Sequence, residues 1–242
     1  MFISIITPVF NEQENILLLI NHINQYMHKH NFNYEHIIID NNSSDDTVLL
    51  VQNYMKFCNN NVTLIKNDRN YGPDYSPYLG LINSKGDIAI PIVADFQDPI
   101  DILNDLISTW LNNKDVDVIA VKYKLNYNSI RQILSILYYY LLSFTSKYNE
   151  IIGFQGFGIY SRNFINTIAA IPYRRPYYFR GLVSRYAKCI LIFNAERNKR
   201  TRGKSSYNFF KLLNHGFSGF YNQFSLLKLS IIFIIFFLFT RL

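Results

Sequence analysis

Short apolar segments alternate with segments of helical periodicity along the first half of the chain. The apolar segments, each short enough to be a strand, are residues 2–7, 36–40, 62–66, 87–93 and 116–121. The helices predicted between and after them are residues 12–30, 45–57, 73–84 and 100–111. Strands that alternate with helices favour a parallel, doubly wound sheet. The sequence therefore predicts an α/β fold in which helices cover both faces of a mostly parallel sheet.

The length of the chain, its two cysteines and the absence of two nucleotide-binding motifs limit the functional classes to which the protein can belong. With 242 residues the chain suits one domain, or one domain with an appendage. Cys58 and Cys189 lie far apart and lack metal-ligand spacing, which favours a reduced compartment. No G-x-G-x-x-G follows the first strand, and the chain has no G-x-x-x-x-G-K-[ST] motif. These absences argue against dinucleotide-dependent oxidoreductases and P-loop nucleotidases.

Positive charge is concentrated in the second half of the chain. The net charge is +7, and residues 174–211 hold eleven arginines and lysines with Glu196 as the only acid. Such a field attracts the phosphates of nucleotides, lipids or nucleic acid. No nucleic-acid reading motif accompanies it, so we predict no nucleic-acid partner. For residues 196–204 taken alone, a solvated basic surface or a membrane-facing patch is the alternative.

Beyond Asn128 the sequence changes character. A predicted helix at 130–148 is apolar on most of its circumference, which fits either a core helix or a helix against a membrane. Strands are predicted at 153–160 and 190–193, and an amphipathic helix at 207–224. The apolar run 226–239 is shorter than the about 20 residues that span a bilayer. It is the start of a membrane hairpin, a short tilted or interfacial anchor, or a buried terminal helix. Residues 2–6 are too short for a signal sequence, so none is expected.

Polar residues follow three of the predicted strands. They occupy residues 7–12, 40–45 and 95–98, and Ser43 or Ser44 is the expected N-cap of the second helix. The carboxyl ends of parallel strands meet at one edge of a sheet, where ligands of open α/β folds bind. We therefore expect these segments to converge on one ligand. Asp95 and Gln97 offer hard oxygen ligands, which suit Mg²⁺ or Mn²⁺ held together with substrate phosphates.

The order of these motifs resembles family 2 glycosyltransferases of the GT-A fold. The matching segments are S-I-I-T-P-V-F-N-E at 4–12, I-I-I-D-N-N-S-S-D at 37–45, N-Y-G at 70–72, G-D at 86–87 and A-D-F-Q-D-P at 94–99. Within that family the D-x-Q-D-P string resembles the polyprenyl-phosphate branch, of the dolichol-phosphate mannose synthase and bactoprenol glucosyltransferase type. Later blocks at 156–162, 180–182 and 197–205 fit as well, so the resemblance spans about residues 2–225.

The resemblance implies a role for each matching residue. The nucleotide of the donor is expected to be held by Pro8, Phe10, Asn11, Glu12, Asp40, Asn42 and Ala94. Asp95 and Gln97 are the implied metal ligands, and together with Arg197 and Arg200 they form the implied catalytic set. The acceptor and its phosphate are assigned to Arg180, Lys204 and Ser205. Arginine suits such sites because its guanidinium binds phosphate oxygens bidentately.

Two departures from the family pattern bear on mechanism. Many relatives carry Asp-x-Asp, whereas Val93 occupies the first of these positions, so metal binding is expected to depend on Asp95 with Gln97. The block 156–161 contains no acid, although several relatives have one there. A phosphate acceptor is already largely anionic at pH 7 and attacks without a strong general base. The missing acid therefore favours a phosphate over a sugar hydroxyl as acceptor.

The sequence thus predicts an inverting, metal-dependent hexosyltransferase at the cytoplasmic face of the inner membrane. Its donor would be a UDP- or GDP-hexose and its acceptor a polyprenyl phosphate, with a homo-oligomer or a flippase-type membrane partner left open. The expected units are a GT-A catalytic domain at 1–205, an interfacial helix at 206–225 and an anchor segment at 226–242. The alternatives are a transferase acting on a glycan hydroxyl and a non-catalytic nucleotide-binding membrane protein.

Overall fold

The computed structural model describes residues 1–57, 61–124, 140, 146, 148, 150–171 and 178–200. Its strands are β1 (Phe2–Val9), β2 (Asn33–Asp40), β3 (Val62–Lys66), β4 (Ile88–Pro91), β5 (Val118–Tyr123), β6 (Phe154–Ser161) and β7 (Ile190–Ala195). Its α-helices are α1 (Ile16–Lys29), α2 (Thr47–Phe57), α3 (Tyr75–Asn83), α4 (Leu103–Leu111), α5 (Arg162–Ala169) and α6 (Phe179–Tyr186). A 3₁₀ turn at Ile100–Ile102 leads into α4.

The strands form a seven-stranded sheet in the order β3-β2-β1-β4-β6-β5-β7. β1 pairs in parallel with both β2 and β4, and β2 pairs in parallel with β3. β6 lies between β4 and β5 and is antiparallel to both, while β7 is parallel to β5. All strands except β6 therefore end at the same edge of the sheet, and β6 begins there.

Apolar side chains cover the sheet on both faces, as a three-layer α/β fold requires. On one face, a core cluster joins α1, α2 and α4 to strand residues such as Ile5, Ile38 and Ile90. The other joins α3, α5 and α6 to residues such as Ile6 and Ile39. Neighbouring residues of one strand enter opposite clusters because side chains alternate across a strand. The burial of both faces explains why these strands are continuous apolar runs.

A glycine brings one helix into close contact with the sheet. Gly80 lies in α3, and a Cβ placed there would collide with the Ile6 side chain of β1. Since only glycine lacks that atom, α3 can lie directly on β1 and β2. This contact fixes the helix that follows the polar segment 67–74.

The element order and the mostly parallel sheet confirm the prediction from sequence, with shifted boundaries. The largest shifts are at the start of α1, which begins at Ile16 rather than at residue 12, and at the start of β2, which begins at Asn33 rather than at residue 36. β4 ends at Pro91 rather than at residue 93. The chain leaves the strand there because the Val93 amide donates to the Asp98 carboxylate at 2.9 Å. Within the described residues no helix is long and apolar enough to cross a membrane. Most of the predicted helix 130–148, and all of the predicted segments 206–225 and 226–242, lie outside the described residues.

A neutral histidine is built into the centre of the sheet. His36 of β2 is 1% exposed, and its Nε2 lies 2.8 Å from the Thr7 hydroxyl of β1. Burial lowers the pKa of His36 from 6.5 to about 3. A lowered pKa means that, between these values, the unfolded chain binds a proton which the folded protein excludes. The stabilising effect of the neutral ring is therefore complete above pH 6.5 and is lost as the pH falls toward 3.

We predict that the free energy of unfolding falls more steeply with decreasing pH in the wild type than in a His36→Gln variant. Glutamine can bond to the Thr7 hydroxyl but does not titrate, so the difference isolates the histidine. The extra slope should reach about 1.4 kcal/mol per pH unit between about pH 6 and pH 4. Urea unfolding at stepped pH measures it. Equal slopes for the two proteins would contradict the assignment of a neutral, buried His36.

Candidate active site at the carboxyl edge of the sheet

The segments after β1 and β2 are joined by hydrogen bonds. The Asn11 amide donates to the Ser43 hydroxyl at 2.9 Å, and the Asn11 side-chain oxygen accepts from the Ser44 amide at 2.8 Å. Asn11 adopts φ +55°, a left-handed conformation that asparagine tolerates better than most residues. This turn sends the chain back toward α1 and leaves Pro8 and Phe10 partly buried beside it. The two loops therefore form one polar surface at the edge.

The serines after β2 do not cap the following helix, which corrects the prediction for Ser43 and Ser44. Both are bonded to Asn11 instead. The Asp45 carboxylate accepts from the Thr47 amide at 3.0 Å and so satisfies a free donor at the start of α2. The same carboxylate accepts from the Gln13 amide at 3.2 Å. Asp45 thus serves the helix and the β1 loop together.

Asp40 is the buried carboxylate at the end of β2. It is 1% exposed and accepts from the Ser43 amide with both oxygens, at 3.3 and 3.2 Å. Its partner across the pairing is Val9, the last residue of β1. Asn42 follows in an exposed left-handed conformation at φ +65°. Asp40 and Asn42 are therefore linked through Ser43 to the Asn11 turn.

Asn41 organises the neighbouring loop and was missed from the sequence. Its backbone amide donates to the Val9 carbonyl at 2.9 Å, which ties the β2 loop to β1. Its side-chain nitrogen donates to the Asn70 side chain and to the Gly72 carbonyl, each at 3.0 Å. Its side-chain oxygen accepts from the Asn67 side chain at 3.1 Å and from the Tyr71 amide at 2.9 Å. A buried asparagine inside the D-N-N-S-S segment was the available signal, but its partners follow β3.

The loop after β4 carries the predicted metal ligands. Asp95 is 8% exposed, and one of its oxygens accepts from the Gln97 backbone amide at 3.2 Å. Ala94 is buried next to it, whereas the Gln97 side chain is partly exposed. The Gln97 carbonyl accepts from the Asn198 amide at 3.0 Å, so the loop also contacts the segment after β7. Gln97 thus contacts Asp95 through its backbone amide and not through its side-chain amide.

Arg200 connects the loop after β1 to the loop after β4. Its guanidinium donates to the Glu12 carboxylate at 2.8 Å and, at 3.4 Å, to the Asp95 oxygen that does not accept from the Gln97 amide. Burial raises the pKa of Glu12 and the Asp95 charge adds to the rise, while Asn15 and Arg200 oppose it. One cation therefore holds the carboxylates of two neighbouring loops, those after β1 and β4, together at the centre of the edge. The structure thus brings Arg200 together with two other residues of the predicted site, Glu12 and Asp95.

The other predicted basic residues are distributed around this centre. Arg197 is exposed, and its guanidinium lies 5.7 Å from the centre of the Tyr123 ring at the end of β5. Arg180 of α6 donates to Gln155 at 3.4 Å and lies over the Tyr178 ring, beside the start of β6. Lys204 and Ser205 lie outside the described residues. Among the described residues, the edge thus carries the carboxylates of Glu12, Asp40 and Asp95 at the ends of β1, β2 and β4, and Arg180 beside the start of β6.

The donor set at Asp95 fits a hard divalent cation. Mg²⁺ binds through one or two carboxylates, with substrate phosphates and water completing its shell. Asp95 offers a carboxylate whose second oxygen makes only a long contact, at 3.4 Å, with Arg200. No three histidine, cysteine, aspartate or glutamate side chains of the described residues cluster as a metal cage. The geometry therefore suits a metal carried in with a diphosphate.

We predict that Asn41→Ala lowers the free energy of unfolding by about 2 kcal/mol, because it removes the hydrogen bonds of the buried Asn41 side chain to Asn67, Asn70, Tyr71 and Gly72. Asn42→Gly is the matched control, since the neighbouring asparagine is exposed and its φ of +65° suits glycine. Urea unfolding of both variants measures the difference. A loss in Asn41→Ala no larger than that in Asn42→Gly would contradict the role assigned to Asn41.

The fold is similar to that of two proteins solved with bound UDP-sugars. Glucosyl-3-phosphoglycerate synthase of Mycobacterium tuberculosis, solved with Mn²⁺, UDP-glucose and phosphoglyceric acid, superposes with a TM-score of 0.63 at 18% identity, over 89% of this chain and 76% of that one. S. aureus TarS 1–349, solved with UDP-GlcNAc, superposes with a TM-score of 0.55 at 18% identity, over 92% of this chain and 67% of that one. These likenesses confirm the predicted GT-A-like fold.

Three curated relatives match most of the chain. A bactoprenol glucosyl transferase of Shigella phage SfV is 27% identical over 90% of this chain and 71% of its own length. An undecaprenyl-phosphate 4-deoxy-4-formamido-L-arabinose transferase of Proteus mirabilis is 25% identical over 88% and 64%. An uncharacterized glycosyltransferase of Synechocystis sp. is 25% identical over 95% and 71%. The chain spans between 64% and 71% of the length of these relatives.

The family profile described as Glycosyl transferase family 2 matches residues 4–169. The matched region runs from β1 into α5 and contains Glu12, Asp40 and Asp95. It covers more than half of the chain. The protein therefore belongs to glycosyl transferase family 2, and it is a glycosyltransferase.

Proposed function

We propose that the protein transfers a hexose from a nucleoside diphosphate sugar to a polyprenyl phosphate, with inversion, at the cytoplasmic face of a membrane. The observation that carries this proposal is the meeting of Glu12, Asp95 and Arg200 at the edge where Asp40 also ends its strand. Oxygen donors, amide groups and one guanidinium lie there together, which suits the uncharged nucleoside and the charged diphosphate of one donor.

The donor would lie across the ends of β1, β2 and β4. Asp40 and the loops around Asn11 and Asn41 would hold the base and the ribose. Asp95 would bind Mg²⁺ or Mn²⁺ on the diphosphate, and the metal would supply Lewis-acid stabilisation of the leaving group. The Mn²⁺ and the UDP-sugars bound in two structural neighbours support this choice of ligands.

Arg200 would stabilise the leaving diphosphate. In transfer, an acceptor phosphate oxygen forms a bond to the anomeric carbon, and the bond from that carbon to the diphosphate breaks with its electron pair. Negative charge therefore accumulates on the departing nucleoside diphosphate. A guanidinium already held beside Asp95 needs little reorganisation to meet that charge.

The residues around β6 favour a phosphate acceptor. Gly156 occupies the acid-free block, and its φ of +101° and the Phe179 ring, 3.1 Å from an added Cβ, leave little place for an acidic side chain. The preceding acid, Glu150, is hydrogen-bonded to the Ser184 hydroxyl of α6 at 3.0 Å. An acceptor phosphate needs no strong base, because its second pKa is about 6. The names of the bactoprenol and undecaprenyl-phosphate relatives point to the same acceptor class.

A polyprenyl phosphate is a membrane lipid, so the proposal places the enzyme at a membrane surface. The positive charge of the chain would favour an anionic leaflet. The segments 206–225 and 226–242 are the proposed interfacial helix and anchor, beside a catalytic domain at 1–205.

We predict that the full chain, with Mg²⁺ or Mn²⁺, transfers labelled hexose from a UDP- or GDP-sugar to an organic-extractable lipid that mild acid hydrolyses. Asp95→Asn should lower this transfer by about 100-fold or more, because the metal on the diphosphate loses its carboxylate ligand from the protein. Asp115→Asn, an exposed aspartate before β5 at the opposite edge, is the control and should be fully active. Full activity of Asp95→Asn would refute the metal assignment. An acid-stable product would instead indicate a sugar hydroxyl as acceptor.

A further inference from the structure

We propose that Asp98 and Tyr123 are a positioning pair that holds the Asp95 carboxylate in place for the metal and diphosphate of the donor. Neither residue is among those assigned above to contact substrate or metal. The inference rests on the proposed function, because it concerns the loop that presents Asp95.

Asp98 closes the loop on itself. Its carboxylate is 4% exposed, and one oxygen accepts from the Val93 amide at 2.9 Å. This bond joins the two ends of the segment 93–98, so that Asp95 lies at the turn between them. Within the turn, Phe96 has φ +62°, a conformation costly for an aromatic residue. Strained backbone persists only where the surrounding structure holds it, and it occurs mainly at functional sites.

Tyr123 attaches this loop to a strand that is not adjacent to β4. The Tyr123 hydroxyl donates to the other Asp98 oxygen at 2.6 Å. Tyr123 is the last residue of β5, and β6 lies between β4 and β5 in the sheet. The hydrogen bond therefore spans the start of β6 and links both halves of the edge. Burial raises the pKa of Tyr123, so its hydroxyl keeps the proton that it donates.

The pair also contacts the segment that carries Arg200. The Arg197 guanidinium lies over the Tyr123 ring, and the Asn198 amide donates to the Gln97 carbonyl. Arg200 itself reaches Asp95. The loop after β4 and the segment after β7 are thus fixed against one another through the same few residues. Displacement of Tyr123 would disturb both the metal ligand and the guanidinium.

A purely structural role is a weaker explanation of a buried acid at this point. Burial of a carboxylate removes its hydration, which lowers the stability of the fold unless hydrogen bonds replace the lost water contacts. A pair of apolar side chains would fill the same space at a lower cost in free energy. Both Asp98 oxygens are used, one within the loop and one toward β5. The arrangement specifies the orientation of the loop rather than merely filling the core.

Tyr123→Phe tests the pair because it removes only the hydroxyl. We expect the variant to fold, to bind Mn²⁺ about tenfold more weakly in the presence of UDP or GDP, and to bind the nucleotide alone with unchanged affinity. Titration of free Mn²⁺ by electron paramagnetic resonance measures the first quantity without requiring turnover. If this variant does not fold, Asp98→Asn, which keeps an oxygen for the Val93 amide, replaces it.

Tyr34→Phe is the matched control. Tyr34 is as buried as Tyr123, and its hydroxyl donates to Asn24 at 2.8 Å, at the start of β2 and so at the opposite edge. Unchanged Mn²⁺ affinity in Tyr34→Phe, with weakened affinity in Tyr123→Phe, supports the pair. Equal Mn²⁺ affinity in both variants, whatever their stability, overturns it. Wild-type protein that binds no Mn²⁺ with either nucleotide would instead contradict the proposed function itself.

Discussion

The parallel pairing of β1 with β2 on one side and β4 on the other is the constraint on which the site depends. The pairing sets Val9 opposite Asp40 and Ile6 opposite Pro91. Three chain segments that are far apart in sequence therefore leave the sheet side by side. Glu12, Asp40 and Asp95 follow from that register, and a slip of one residue would turn every side chain of a strand to the other face. The buried Thr7–His36 contact lies within the same pairing.

An ion pair offsets the cost of placing two carboxylates close together at the edge. Glu12 and Asp95 share Arg200, which offsets part of the cost of their burial. The contacts of Arg197 and Asn198 hold the same basic segment against the end of β5 and the loop after β4. A diphosphate with its metal would replace these carboxylate contacts by stronger charge-assisted ones. Binding of the proposed donor would thus be physically linked to the arrangement of the segment after β7.

Much of the fold and of the candidate site was predictable from sequence, whereas the remaining features depend on contacts between segments that are distant in the chain. Apolar runs placed the strands, and the rule that parallel strands end at one edge brought together Asn11, Asp40 and Asp95. The roles of Asn41, Asp98 and Tyr123 were not predicted because they depend on contacts with partners distant in sequence. The partners of Asn41 follow β3, and the bond between Asp98 and Tyr123 exists because β6 runs antiparallel between β4 and β5. Capping by Asp45 instead of Ser43 or Ser44 likewise depends on the contact with the β1 loop.

The central claim is that Asp95 binds the metal of a nucleoside diphosphate sugar at this edge. A crystal structure of the protein with UDP and Mn²⁺, with anomalous scattering recorded at the manganese edge, tests it most directly. We expect one manganese peak at bonding distance from an Asp95 oxygen, the diphosphate on its other side, and the Arg200 guanidinium turned from Asp95 toward a phosphate. A manganese peak bound elsewhere, or a nucleotide bound with Arg200 still on Glu12 and Asp95 and no metal at Asp95, would contradict the claim.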